Sequence, residues 1–181
     1  MRVIAGSAKG RALLPVPGSG TRPITDRVKE SLFNILAPVI VDAAFLDLFA
    51  GTGGVGIEAL SRGAGRAVFV EKNRRAVEII RKNLELTGFK AQAEVSVADV
   101  FAYLRRAPTE SFDLVYVAPP QYQGLWLETL LALDRQPWVA PTGQVVVQIF
   151  PKELTPFELS TLTVVDERRY GSTLLLFLAC R

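Results

Sequence analysis

From residue 43 to residue 149, apolar runs of strand length alternate with segments of helical periodicity. The apolar runs cover residues 43–48, 67–70, 91–97, 112–117 and 144–149. Between them, apolar side chains recur every three or four residues over 55–62, 74–86, 100–105 and 125–133. Strand and helix in regular alternation predict an α/β fold, built on a mostly parallel sheet with helices packed on its faces.

The two ends of the chain differ from this central pattern. Runs at 161–169 and 173–179 flank Gly171 and predict an antiparallel hairpin, which brings the sheet to seven strands. Near the start we predict a short strand over residues 2–5, then an exposed arm rich in Gly, Pro and Ser, then a helix capped by Thr25 and ending before Pro38. We therefore expect two parts: a basic arm with a docking helix (residues 1–38) and a main domain (residues 39–181).

Composition excludes several kinds of chemistry. The 181 residues include no histidine and one cysteine, so His-ligated metals, Ser–His–Asp triads and disulfide frameworks are excluded. Residues 1–30 carry four more basic than acidic groups, which exceeds the whole net charge of +3 and indicates a polyanion-binding surface. With no signal-peptide pattern and no apolar run near 20 residues, we expect a cytoplasmic protein that does not bind a membrane. We also expect a monomer without a metal.

A glycine-rich loop follows the first predicted strand of the main domain. Gly51, Gly53 and Gly56 match the G-x-G-x-x-G pattern of dinucleotide-binding folds. Glu71 lies twenty residues after Gly51, at the end of the next predicted strand, where a ribose-binding acid is expected. On this pattern alone, a nicotinamide-dependent oxidoreductase is one candidate.

The charge of Asp47, directly before this loop, favours another cofactor. A carboxylate there would repel a pyrophosphate, whereas it would attract the ammonium and sulfonium groups of S-adenosylmethionine. Glu71 could then accept hydrogen bonds from the ribose hydroxyls, and Asp99 could accept one from the adenine amine. Simpler explanations also exist: the glycines form a tight turn, Glu71 is a helix-entry residue and Asp99 caps the next helix.

A longer motif starts in the arm, where Lys9-Gly10-Arg11 is followed by the segment TRPITDRVKESLFN at residues 21–34. With the loop at residues 46–64, it resembles the RsmD family of bacterial 16S ribosomal RNA guanine-N2 methyltransferases, over residues 2 to about 149. The resemblance implies a Rossmann-like class I methyltransferase that uses S-adenosylmethionine and acts on 16S rRNA or a 30S assembly particle. It implies cofactor contacts from Thr25, Arg27, Phe49 and the loop residues above, and RNA contacts from Lys9, Arg11, Arg22 and Arg27.

The family's catalytic corner is D/N-P-P-[YF] at the end of the fourth strand, and this sequence departs from it. Here the segment reads Ala118-Pro119-Pro120-Gln121-Tyr122, so the usual acceptor side chain is missing and the aromatic comes one residue later. In one interpretation, backbone carbonyls and Gln121 accept the amine protons while Tyr122 stacks on the base. In another, the protein is an RNA-binding or assembly factor with little turnover. Methylation of DNA or of a protein amine shares the Pro-Pro corner but is expected to need a separate target-recognition domain.

Overall fold

The computed structural model describes residues 1–18 and 23–181. Five α-helices lie within these ranges: Asp26–Leu36 (α1), Gly54–Ser61 (α2), Arg74–Thr87 (α3), Val100–Leu104 (α4) and Leu125–Asp134 (α5). Seven strands form one sheet: Ala44–Leu48 (β1), Arg66–Glu71 (β2), Ala93–Val97 (β3), Phe112–Val117 (β4), Val139–Ile149 (β5), Leu162–Tyr170 (β6) and Thr173–Cys180 (β7).

The strand order is β3-β2-β1-β4-β5-β7-β6. Strands β1 to β5 are parallel, and β7 runs antiparallel between β5 and β6, so the predicted seven-stranded sheet with a C-terminal hairpin is confirmed. Successive strands are added on one side of β1 up to β3 and on its other side from β4 onward, so the strand order reverses between β1 and β4. In open α/β sheets the crevice at such a reversal, at the carboxyl ends of the strands, is where ligands bind.

Two apolar cores, one on each face of the sheet, follow from the alternation of side chains along the strands. Phe45 and Phe69 face the core shared with α1, α2 and α3, whereas Leu46, Leu48 and Val70 face the core shared with α4 and α5. Asp47 has the same parity as Phe45, so its carboxyl group lies on the α2 face of the sheet.

The predicted strand at residues 2–5 is wrong, because the structure shows only an isolated antiparallel bridge between Arg2 and Ala12. The backbone N–H groups of Ile4 and Ala5 donate instead to the Glu58 carboxylate of α2, at 2.8 and 3.1 Å. These two donors are therefore satisfied by a side chain, not by a neighbouring strand.

A buried ion pair joins the arm to two helices. Lys29 of α1 and Glu58 of α2 are both inaccessible to solvent, with Lys29 Nζ 3.4 Å from Glu58 Oε2. Lys29 also donates to the carbonyl of Arg2 at 2.6 Å, and Arg62 donates to Glu58 Oε1 at 2.8 Å. Burial lowers the pKa of Lys29, an effect that the charge of Glu58 opposes.

Candidate cofactor site and catalytic corner

The loop after β1 is shaped by Asp47 and two glycines. Gly53 caps α2 in the left-handed conformation at φ 77°, which a residue without Cβ adopts without strain. Gly56 donates its N–H to Asp47 Oδ2 at 3.0 Å, and a Cβ on Gly56 would overlap the Phe69 ring. Glycine at residue 56 therefore allows the helix to approach the sheet closely enough for this hydrogen bond.

The Asp47 carboxyl group is only 2% exposed. Burial raises its pKa to about 8, the Gly56 N–H lowers it, and the charge of Glu71 raises it further. A buried carboxyl group of this kind stays protonated at neutral pH unless a cation approaches it. The group is thus able to change charge when a ligand ammonium binds, which agrees with the partner predicted for it.

Glu71, at the end of β2, holds the loop from the other side. One of its oxygens accepts the N–H of Gly51 at 2.9 Å, and the other accepts the N–H of Asn73 at 2.8 Å. Each carboxylate oxygen can accept more than one hydrogen bond, so this half-buried group keeps capacity for ribose hydroxyls. The helix-entry explanation and the ribose prediction are compatible in this geometry.

Asp99, after β3, caps α4 as the simpler explanation proposed. Its Oδ1 accepts the N–H groups of Phe101 and Ala102, at 2.9 and 3.3 Å. The second oxygen, Oδ2, lies 3.7 Å from the Lys72 ammonium in a pair that is largely open to solvent. That oxygen is therefore available to an adenine amine, and the cap keeps it at the edge of the sheet.

Asp47, Glu71 and Asp99 thus lie at the carboxyl ends of β1, β2 and β3, three adjacent strands. Phe49, also predicted to contact cofactor, has a positive φ of 61° and packs half-buried against the core on the α5 face. The row of acids across this edge provides acceptors for a ligand that carries an ammonium group, hydroxyls and an amine.

The predicted catalytic corner begins where β4 ends, next to this site. In the sheet, Val117 is paired with Leu48 of β1 on one side and with Val147 of β5 on the other. Ala118 and the two prolines that follow it are half-buried, and Gln121 is exposed. The structure therefore brings the corner and the glycine loop together on neighbouring strands.

Sequence reasoning missed Glu153 and Phe150, which hold the second half of the corner. Glu153 accepts the N–H of Tyr122 at 2.7 Å through Oε1 and the N–H of Phe150 at 3.0 Å through Oε2. Tyr122 has φ 58°, is 63% exposed, and its ring centroid lies 5.6 Å from that of Phe150. Because Glu153 is 31 residues from Tyr122, no local pattern could reveal this contact.

The predicted RNA contacts lie near the start of the chain. Lys9, Arg11 and Arg27 are exposed, and Arg22 lies outside the residues that the structure describes. Thr25 caps α1 by accepting the N–H of Val28 at 3.3 Å, and it is also exposed. The arm itself is tied to the main domain, since Asn83 of α3 accepts the N–H of Leu14 and donates to its carbonyl.

Within residues 1–18 and 23–181, no cluster of His, Cys, Asp or Glu of a size able to hold a metal ion is present. In the same ranges, none of the helices has the length and apolar character that crossing a membrane requires.

The fold and the site define a class I S-adenosylmethionine-dependent methyltransferase. In the strand order of dinucleotide-binding sheets, 3-2-1-4-5-6, the sixth strand lies directly beside the fifth. In this sheet the antiparallel strand β7 lies between β5 and β6. The sheet thus departs from the strand order of nicotinamide-dependent enzymes, and the S-adenosylmethionine prediction from Asp47 agrees with the cofactor that the fold class uses.

Comparison with known proteins gives the family. The model of the family "Conserved hypothetical protein 95" matches residues 1–179. Ribosomal RNA small subunit methyltransferase D of Escherichia coli K12 is 44% identical over 149 residues, 82% of this chain and 74% of that protein. The protein of the same name from Haemophilus influenzae is 35% identical over 94% of this chain and 93% of its own length. The solved Escherichia coli yhhF structure superposes with a TM-score of 0.88 at 36% identity, covering 98% of this chain and 96% of that one.

The chain belongs to this family, which is the RsmD family that the sequence motifs resemble.

Proposed function

We propose that this protein transfers a methyl group from S-adenosylmethionine to the N2 amine of a guanine in 16S ribosomal RNA. The observation that carries the proposal is the pairing of Leu48 with Val117, which sets the cofactor loop and the Pro-Pro corner side by side. Relatives at 44% and 35% identity are named as small-subunit rRNA methyltransferases, which supports the substrate class. An rRNA substrate agrees with the expected cytoplasmic location.

The reaction needs positioning more than acid–base chemistry, in agreement with a chain without histidine. When bound, S-adenosylmethionine supplies a methyl group: the N2 lone pair forms the new N–C bond, the C–S electron pair returns to sulfur, and N2 loses one proton to water. The chain's role is to hold the amine in line with the methyl group and to exclude other geometries.

Backbone carbonyls of the corner are the acceptors that we assign to the amine protons. Pro119 and Pro120 have a fixed φ, which restricts the directions of the carbonyls of Ala118 and Pro119. Neither proline has a backbone N–H that could compete for these carbonyls. Gln121 supplies a further acceptor from its amide. The exposed Tyr122 ring lies beside Phe150 and stacks on the base when RNA is bound.

Residues 1–38 form the RNA-facing part in this proposal, and residues 39–181 form the catalytic domain. Lys9, Arg11 and Arg27 are exposed cations that can pair with phosphates, and Arg22 is assigned to the same role. Thr25 and Arg27, at the start of α1, are assigned to the methionine end of the cofactor. The hydrogen bonds that Ile4 and Ala5 of the arm donate to Glu58 keep these groups attached to the domain that carries the cofactor.

The experiment is a methylation assay with isotope-labelled S-adenosylmethionine. Substrates are free 16S rRNA and 30S particles, both from a bacterial strain lacking the corresponding enzyme, and digestion with mass spectrometry identifies the product nucleoside. We expect N2-methylguanosine from at least one substrate and none from rRNA that is already modified. Cofactor binding without any methylated nucleoside would contradict the proposal.

A second candidate function is supported by Ala118 alone. Without a carboxylate or amide at residue 118, the protein could bind cofactor and RNA yet act as an assembly factor with little turnover. The Ala118→Asp variant distinguishes the methyltransferase from the assembly factor. A large gain in turnover would support the assembly factor, because it would mean that the natural protein has lost activity through Ala118. Unchanged turnover supports compensation by other groups of the corner.

A further inference from the structure

The strand next to the catalytic corner carries a polar side chain at the level of Ala118. Val117 of β4 pairs with Val147 of β5, so the next position on each strand brings Ala118 level with Gln148. In a parallel pair, residues at the same level point to the same face of the sheet. The methyl group of Ala118 leaves more room on that face than the longer acidic or amide side chain that the motif usually has there.

Gln148 is held in one orientation by Tyr116. The Tyr116 hydroxyl donates to Gln148 Oε1 at 2.5 Å. Tyr116 is only 3% exposed, and burial together with the charge of Asp47 holds its pKa well above the usual value, so it remains a donor at neutral pH. Gln148 is half-buried, and its amide nitrogen donates to none of the residues that the structure describes. This amide therefore has a fixed oxygen and a free N–H₂ group.

A carboxamide matches the edge of guanine that carries N2. That edge presents the N2 amine as a donor beside the N3 acceptor, and a carboxamide presents an acceptor beside a donor. After accepting from Tyr116, the Gln148 oxygen still has a second lone pair for an amine proton, while its nitrogen can donate. A neutral amide also leaves the N2 lone pair unprotonated for attack on the methyl group.

Resting on the function proposed above, we propose that Gln148 is a substrate-contacting residue that recognises guanine in place of the side chain absent at Ala118. Tyr116 is the positioning residue that orients it. The corner is then assembled at the ends of two adjacent strands: a backbone carbonyl after β4 accepts one amine proton, and the Gln148 amide of β5 accepts the other and selects guanine.

The first test is kinetic, with Gln148→Met as the variant of similar size without hydrogen bonds. We expect kcat/KM for RNA to fall at least about tenfold, since a buried polar contact to substrate is lost. Cofactor Kd should stay at the wild-type value, while Tm should fall by only a few degrees, because the buried Tyr116 hydroxyl loses its acceptor. The matched control is Gln144→Met, four residues earlier on β5 and on the same face, which should leave kcat/KM unchanged.

Two further variants separate recognition from a structural role. Adding Ala118→Asn to Gln148→Met should restore most of the lost kcat/KM, because a carboxamide returns to the same face of the corner. Tyr116→Phe should lower kcat/KM less than Gln148→Met does, since the amide remains but is no longer oriented. A Gln148→Met variant that keeps wild-type kcat/KM, or that also loses cofactor affinity, overturns the inference.

Binding measurements keep the inference testable apart from turnover. The probe is a guanosine-containing oligoribonucleotide and its inosine-substituted copy, which lacks only the N2 amine, each titrated in the presence of S-adenosylhomocysteine. We expect the wild type to bind the guanosine strand more tightly by about tenfold and Gln148→Met to bind both strands equally. Equal binding by the wild type overturns the role of Gln148, whereas failure of the methylation assay alone overturns the proposed reaction.

Discussion

At the scale of single residues, Asp47 has properties that neither its type nor its position in the chain reveals. Its carboxyl group is buried at the end of β1, with a pKa of about 8. The folded protein therefore holds this proton more tightly than the unfolded chain does. By linkage, the contribution of this group to stability falls as pH rises from about 4 towards 8.

We predict that cofactor binding is coupled to ionisation of Asp47. Below pH 8 the carboxyl group is mainly protonated, and an ammonium placed against it favours the charged form, so binding releases about one proton. The Kd for S-adenosylmethionine should fall about tenfold between pH 6 and pH 7. In Asp47→Asn, which still accepts from Gly56, the affinity should be weaker and this pH dependence absent.

Calorimetric titration in two buffers of different ionisation enthalpy measures the proton released. Equal heats in the two buffers at pH 6.5, together with an Asp47→Asn variant of normal affinity, would remove Asp47 from its assigned role.

A second prediction at this scale concerns two glycines of α2. A Cβ at Gly56 would overlap the Phe69 ring and lie 3.2 Å from Asp47 Oδ2, whereas one at Gly54 would meet the flexible end of Met1. We expect Gly56→Ala to lose about 1–3 kcal/mol of unfolding free energy by overpacking. Gly54→Ala should lose far less, because the Met1 side chain can move. Urea unfolding of both variants provides the comparison, and equal losses would contradict the close approach at Gly56.

At the scale of secondary-structure elements, Glu58 joins three separate segments. Its carboxylate accepts the backbone N–H groups of Ile4 and Ala5 of the arm. It also forms ion pairs with Lys29 of α1 and with Arg62, the residue that caps the end of α2. Removing one partner of a buried ion pair leaves the other charge without compensation, which is costlier than losing an exposed pair. This one carboxylate therefore helps to hold both α1 and the arm in place, alongside the hydrogen bonds between Asn83 and Leu14.

We predict that Glu58→Gln lowers the unfolding free energy by about 3–5 kcal/mol. Adding Lys29→Met should recover part of the loss, because the unpaired buried ammonium is removed. The control is Asp166→Asn, which breaks the exposed pair with Arg168 and should cost at most about 1 kcal/mol.

Denaturant unfolding gives these free energies, and hydrogen exchange at the amides of Ile4 and Ala5 reports the arm directly. If the Glu58→Gln variant keeps slow exchange at both amides, the arm is held by other contacts and the assignment of Glu58 is wrong.

At the scale of the whole molecule, the uneven charge defines an expected RNA surface. Lys9, Arg11 and Arg27 are exposed on the arm and at the start of α1, and the acids that predict cofactor binding lie at the carboxyl edge of the sheet. Phosphate contacts release counterions, so their number is reported by the salt dependence of binding. The charge of the arm should therefore determine how steeply RNA affinity falls with salt.

We predict that changing these three residues together to Gln lowers the slope of log Kd against log salt by about 0.7–0.9 per lost phosphate contact. The matched control removes three cations far along the chain, with Arg135, Arg168 and Arg169 changed to Gln. Cofactor affinity should be unchanged in the control variant, whereas the loss of Arg27, which is also assigned to the methionine end of the cofactor, should weaken it in the arm variant. Filter binding at several salt concentrations measures the slopes, and equal slopes for the two variants would contradict an RNA-facing arm.

Much of this architecture could be predicted from local patterns. Strand β4 begins and ends at the predicted residues, and helix α3 differs by one residue at its end. Strand β5 begins five residues earlier than predicted, because Pro141 and Gly143 are residues that usually indicate a turn. In the structure, a register irregularity with β4 accommodates them within the strand. Sequence patterns of this kind are local. They therefore predict where helices and strands lie, but not the changes in strand length and register that pairing with a neighbouring strand imposes.

The amino-acid sequence by itself determined the fold class, the cofactor class and the row of acids at the strand ends, because alternation, glycine spacing and charge sign act over a few residues. Only the tertiary structure decided that Glu58 anchors the arm, that Glu153 holds Tyr122, and that Gln148 lies level with Ala118. Each of these contacts joins residues far apart in the chain. They come about through strand register and the burial of charged or polar groups, which have to find partners wherever the packed elements place them.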